Sequence, residues 1–189
     1  MSLVALEGPE GAGKTALARA LVEHHGYAKY RALAPAGAER LTARELSYFQ
    51  VLGIPIGTFA EDLYPVDVLA QLRRAGCDFS MVLDRCMISG LAYSDLPAGS
   101  VVLRALLREW RNLFNEAGGK LVHLTCNIQT SIARLPEGDE RRNRGHQAMV
   151  RERYNIVMDL LPPDFPMITI ATDNKRLEHV LQQVLSNLE

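Results

Sequence analysis

Short apolar runs alternate along the chain with longer stretches in which apolar residues recur every three or four positions. The runs Leu3–Leu6, Lys29–Leu33, Met81–Leu83, Leu121–Thr125 and Met167–Ala171 read as strands. Leu17, Ala18, Leu21 and Val22 place a helix over Thr15–His25. Leu103, Leu106, Leu107, Trp110, Leu113, Phe114 and Ala117 place another, closed by Gly118-Gly119. A last one carries Leu177, Val180, Leu181, Val184, Leu185 and Leu188 behind Thr172-Asp173-Asn174, a suitable cap. Further helices are expected over Glu61–Arg74, from near Thr130, and from Met149 to Leu160. Strands alternating with helices predict a parallel sheet covered on both faces, an α/β fold.

Two polar or broken segments interrupt this order. Residues 34–62 carry Ala34-Pro35-Ala36-Gly37 and Leu52-Gly53-Ile54-Pro55-Ile56-Gly57 around a helix-like centre, and read as an irregular substrate-side insertion. Residues 135–146 are rich in arginine and flanked by glycine breaks, as a lid would be. Length then bounds the organisation: 189 residues fit one domain, spanning 1–189. The apolar stretches are only strand-length, so neither a membrane span nor a signal peptide is expected, and the protein should be cytoplasmic. Cys77, Cys86 and Cys126 form no C-x-x-C pair and read as buried free thiols. His24, His25, His123, His146 and His179 lack ligand spacing.

The chemistry begins at Gly8-Pro9-Glu10-Gly11-Ala12-Gly13-Lys14-Thr15, a complete G-x-x-x-x-G-K-[ST] phosphate loop between the first strand and the first helix. Its glycines let backbone N–H groups approach phosphate oxygens, Lys14 reaches the β and γ phosphates, and the Thr15 hydroxyl suits Mg²⁺. Asp84 ends the strand-like Met81–Leu83 run and is followed by Arg85. An acid at that place can bind Mg²⁺ or its waters, and Arg85 would point into the same crevice. Net charge is only −1, but Arg141, Arg142, Arg144, Arg151 and Arg153 fall within thirteen positions. Arginines closing over a triphosphate would neutralise the charge of a transferring phosphoryl group.

These residues, with Ser89, Ala92 and Tyr93 after Asp84-Arg85 and Val150-Arg151-Glu152-Arg153-Tyr154 after the arginine-rich loop, resemble the thymidylate kinase family of P-loop kinases. The resemblance implies a three-layer fold with a five-stranded parallel sheet of order 2-3-1-4-5. It also implies ATP with Mg²⁺ as donor and a lid contributing an arginine from Arg141, Arg142 or Arg144. Arg85 would contact the acceptor, alongside Tyr93. The family's Arg-Glu-Pro-Gly-Gly type anchor is missing, since the chain reads Tyr30-Arg31-Ala32-Leu33-Ala34-Pro35-Ala36-Gly37, leaving Arg31 as the cation there. Glu61-Asp62 stand near the place of an acceptor-side arginine.

A hydroxyl acceptor must lose a proton as it attacks, which a carboxylate such as Glu61 or Asp62 can take; an acidic N-terminal helix turn explains the pair equally well. The pattern is similar to what a bacteriophage kinase acting on 5-hydroxymethyluracil in DNA would need, a step of thymidine hypermodification, in which case the host cytoplasm is the setting. A free pyrimidine deoxynucleotide or deoxynucleoside as acceptor is the alternative. A homodimer is left open. A GTP switch is disfavoured, because Asn174-Lys175-Arg176-Leu177 lacks the Asp of N-K-x-D and Asp84-Arg85-Cys86-Met87 is not D-x-x-G.

Overall fold

In a computed structural model that describes residues 2–30, 56–94, 96–97 and 99–188, the first strand, β1 (Ser2–Glu7), is buried on both faces. That explains its unbroken apolar run, since a central parallel strand has no solvent side. β3 (Ser80–Asp84) and β4 (Gly119–Thr125) flank it, β2 (Ala28–Tyr30) lies outside β3, and β5 (Met167–Ala171) lies outside β4. All four pairings are parallel, giving the order β2-β3-β1-β4-β5. The predicted sheet and its order are therefore found.

Alternation along β1 divides the core. Leu3 and Ala5 pack with Leu83 and Leu121 against Val66 and Leu69 of α2 (Ile56–Arg74), Met87 and Leu91 of α3 (Met87–Tyr93), Trp110 and Phe114 of α4 (Val101–Glu116), and Val150 and Tyr154 of α6 (Arg144–Asp159). Val4 and Leu6 pack with Val82, Val122 and Leu124 against Leu17 and Leu21 of α1 (Lys14–His25) and Val180 and Val184 of α7 (Leu177–Leu188). Trp110 is fully buried and stacks on Phe114 with centroids 4.6 Å apart, a core role.

Several boundaries differ from expectation. α5 (Ile128–Arg134) starts at an Asn127 cap, which accepts from Thr130 N, rather than at Thr130. α6 starts five residues before Met149, capped by Asn143 through His146 N. The Thr172-Asp173-Asn174 segment does not hold α7: Asp173 accepts from Asn127 N, and Thr172 turns toward the phosphate loop. α2 already includes Ile56, so residues 56–62 of the expected insertion are helical and Glu61-Asp62 lie in the helix body, not its first turn. Pro65 removes the N–H that would bond the Glu61 carbonyl. Residues 34–55 of that insertion, Arg31, and the Glu61 and Asp62 side chains lie outside the described residues. Cys86 and Cys126 are buried, but Cys77 is exposed. No helix among the described residues is long and apolar enough to cross a membrane.

Candidate active site

The phosphate loop is shaped from behind. Gly8 has φ +136°, and a Cβ there would sit 2.0 Å from the Leu124 carbonyl oxygen of β4. Gly11 has φ +72°, and a Cβ would meet the Ser131 backbone of α5 at 2.6 Å. The conformation disfavours a side chain at both positions, and the contact excludes one. Five successive loop carbonyls receive side-chain donors. Lys14 Nζ reaches Gly8 O at 2.6 Å and Pro9 O at 2.7 Å. The Ser131 hydroxyl donates to Glu10 O, Arg134 Nη1 to Gly11 O at 3.0 Å, and Thr172 Oγ1 to Ala12 O at 3.2 Å. With the carbonyls held, the N–H groups at the start of α1 are left able to bind an anion. Burial, helped by nearby Arg85, brings the Lys14 ammonium down to a pKa of about 7 against Glu7, Glu10 and Asp84, which act the other way.

Asp84 ends β3 beside Leu6 and is 2% exposed. The Thr15 hydroxyl donates to its Oδ2 at 3.2 Å, so β3 and α1 bring the two expected metal ligands into contact. Two hard oxygen donors beside a phosphate site suit Mg²⁺, which takes one or two protein oxygens plus phosphates and water. The same Oδ2 also receives the Lys29 ammonium at 3.0 Å.

Arg85 follows in a left-handed conformation, φ +82°, its N–H bonded to Leu6 O at 3.1 Å. This sparsely populated backbone state turns the guanidinium back over the loop. There Nη1 donates to Ser89 Oγ at 3.1 Å and Tyr154 OH at 3.4 Å, Nη2 lies 3.6 Å from Glu10 Oε1, and Cζ sits 5.5 Å from the Tyr93 ring centroid. Burial works against its charge, but Tyr154, Glu7, Tyr93 and Glu10 together raise its pKa further.

Beneath it, Glu7 is fully buried. Its Oε1 accepts from Cys86 N at 2.6 Å and Ser89 N at 3.1 Å, capping α3 in place of the side chain of Cys86. Its Oε2 accepts from Ser89 Oγ at 2.6 Å and Tyr154 OH at 3.0 Å. Glu10 takes the Tyr93 hydroxyl on Oε1, while its buried Oε2 meets no hydrogen-bond partner of ordinary geometry among the described residues. Burial pushes the Glu10 carboxyl up, but the Tyr93 bond, its own backbone, Arg85 and Lys14 outweigh this and hold it below its ordinary value.

The segment expected to form a lid is organised around Asp139, which caps a 3₁₀ turn (Glu140–Arg142) and binds Arg141 through Arg141 N at 2.9 Å and Nε at 2.8 Å. The Arg141 bonds hold the Asp139 carboxyl down to a pKa of about 2. Gln147 of α6, fully buried, donates to Arg141 O at 2.7 Å and accepts from Ser131 Oγ at 2.8 Å. Ser131 thus shares one hydroxyl proton between Gln147 Oε1 and the Glu10 carbonyl.

A cleft of about 470 Å³ runs from Glu10, Lys14, Thr15 and Arg85 past Arg134 and Arg141 to Thr172, Lys175 and Leu177. Gly11, Ala12 and Gly13 also line it. Of the three expected lid arginines only Arg141 does so; Arg142 is half-buried and Arg144, exposed, opens α6. Arg151 bonds the Cys126 carbonyl instead. Tyr93, expected at the acceptor, bonds Glu10 and lies beneath the Arg85 guanidinium. Lys29, Ser131, Arg134, Gln147 and Thr172 were not expected. Glu7 alone had a readable signal, a charge ending an apolar strand.

The sheet order, the loop between β1 and α1, and the acid ending β3 are those of the P-loop kinase fold. A family model described as AAA domain, AAA_28, matches residues 3–181, and the chain belongs to that family. Among solved structures it is similar to the YorR protein of Bacillus subtilis in complex with phosphorylated GDP, at 19% identity and TM-score 0.66, covering 98% of this chain and 94% of that one. Thymidylate kinase from Candida albicans is 17% identical with TM-score 0.58, covering 100% and 93%. Deoxyadenosine kinase from M. mycoides, with products dCMP and dCDP, is 12% identical with TM-score 0.55, covering 98% and 97%. No curated protein matches the sequence.

Proposed function

We propose that the protein is an ATP-dependent P-loop kinase acting on a thymidine-like pyrimidine. The favoured acceptor is the hydroxymethyl group of 5-hydroxymethyluracil in DNA, and a free pyrimidine deoxynucleoside or deoxynucleotide is the alternative. The observation that carries the reading is the pairing of a backed phosphate loop with Thr15 and Asp84 on one side and Arg85 with Glu10 on the other. The first set holds a triphosphate. The second faces whatever attacks it.

Thr15 and Asp84 would hold Mg²⁺, which would supply charge neutralisation for the triphosphate. Lys14, freed from the Gly8 and Pro9 carbonyls, binds the γ phosphate as an ammonium. Arg85 and Arg141 neutralise its outer oxygens. The acceptor oxygen forms the new O–P bond as the bond from Pγ to the bridging oxygen breaks, leaving ADP. The hydroxyl proton passes to a carboxylate. The Oε2 of Glu10, with no hydrogen-bond partner of ordinary geometry among the described residues, supports an acceptor that donates a hydrogen bond there, and Glu61 and Asp62 are the other carboxylates proposed for the proton.

The test is transfer from γ-labelled ATP to hydroxymethyluracil-containing DNA, thymidine and dTMP. Labelled DNA is expected, and Lys14→Ala should cut the rate by about 10²–10³. Transfer only to thymidine or dTMP selects the alternative acceptor. No transfer to any of them, with no stabilisation by ATP, overturns the kinase reading.

A further inference from the structure

Lys29 lies on β2 in register with Val82, two residues before Asp84 on the neighbouring strand. Its stem runs along the sheet toward the carboxyl ends of the strands and sets the ammonium 3.0 Å from Asp84 Oδ2, the oxygen that the Thr15 hydroxyl approaches at 3.2 Å. Asp84 is 2% exposed, while the Lys29 side chain keeps 29% of its surface in water. The phosphate cleft already has cations along its length in Lys14, Arg85, Arg134 and Arg141, and Lys29 does not line it. Its charge is therefore spent on the carboxylate rather than on phosphate.

We propose that Lys29 is a positioning residue that occupies the cation side of Asp84 and sets how tightly the divalent ion of a nucleotide complex is held. This rests on the kinase reading above. A buried carboxylate without a partner is costly, and the ammonium satisfies it when no nucleotide is present. An incoming divalent ion meets a carboxylate whose charge is already balanced and an ammonium a few ångströms away. Like charges at that separation, only partly screened by solvent, repel. Lys29 thus keeps metal affinity low unless triphosphate oxygens add their own charge, so that the ion enters with the nucleotide rather than ahead of it.

The test measures Mn²⁺ binding directly, through loss of the free-ion electron paramagnetic resonance signal, with and without saturating ADP, for the wild type, Lys29→Met and Lys29→Arg. Lys29→Met should bind Mn²⁺ about tenfold more tightly, with the larger gain in the absence of ADP. Lys29→Arg, which keeps the charge, should match the wild type. Metal-free ADP affinity should be unchanged in both, which confirms that the variants are folded. Equal or weaker Mn²⁺ binding by Lys29→Met, or Lys29→Arg behaving like Lys29→Met, overturns the role of Lys29 while leaving the kinase reading standing. Failure of the wild type to bind Mn²⁺ with ADP overturns both.

Discussion

Replacing Glu7 by leucine should cost the fold about 3–5 kcal/mol. The carboxylate takes four donors at 0% exposure, two of them the backbone N–H groups of Cys86 and Ser89. Those two point in fixed directions, and each buried donor left without an acceptor costs about 1–3 kcal/mol. The Ser89 and Tyr154 hydroxyls can rotate toward one another across 2.7 Å and recover part of their loss. Arg85 meanwhile loses an anion beneath it. Glutamine is milder: its oxygen can keep the N–H pair while its amide faces hydroxyls able to accept. What disappears is charge assistance on those bonds, about 2 kcal/mol in all. A chain of this size shifts by about 2–4 °C per kcal/mol, so calorimetry should show Glu7→Leu melting about 6–20 °C and Glu7→Gln about 4–8 °C below the wild type. A leucine variant melting within about 2 °C of the wild type would refute the reasoning.

Lys14 should make nucleotide binding pH-dependent. Its pKa of about 7 in the folded chain, against 10.5 unfolded, means that the unfolded chain binds the extra proton between these values. Stability of the nucleotide-free protein should therefore rise with pH across that window, and Lys14→Met should flatten the slope. Phosphates restore the ammonium, so at pH 8 ATP binding should take up a proton; calorimetry giving the same enthalpy in buffers of different ionisation enthalpy would contradict this. Gln147→Leu, which unhooks Arg141 from Ser131, should speed tryptic cleavage after Arg141 and Arg142 and lower kcat about 10–100-fold with little change in ATP affinity. Unchanged cleavage and kcat would show that the Ser131–Gln147–Arg141 contacts play no part in catalysis.

The sheet was legible because buried strands need unbroken apolar runs and the helices between them repeat every three or four residues. The phosphate loop, Asp84 and Arg85 were legible because their spacing is local. What eluded the sequence is contact between distant segments. Ser131, Gln147 and Thr172 are ordinary polar residues on ordinary elements, and their meaning lies in meeting the carbonyls of Glu10, Arg141 and Ala12. Lys29 reads as a strand-edge lysine until the parallel register brings it to Asp84. The thirteen-residue arginine cluster misled in the other direction: Arg141 lines the cleft, whereas Arg151 is drawn away to Cys126.

The donors that hold the loop carbonyls come from α5, the end of β5 and the first turn of α1, with β4 pressed against Gly8. The octapeptide is thus a casting whose mould is spread over some 160 residues of chain. Grafting Gly8–Thr15 alone onto another strand and helix would transfer the motif without its shape. A minimal transplant must carry the backing as well: Leu124, Ser131, Arg134 and Thr172.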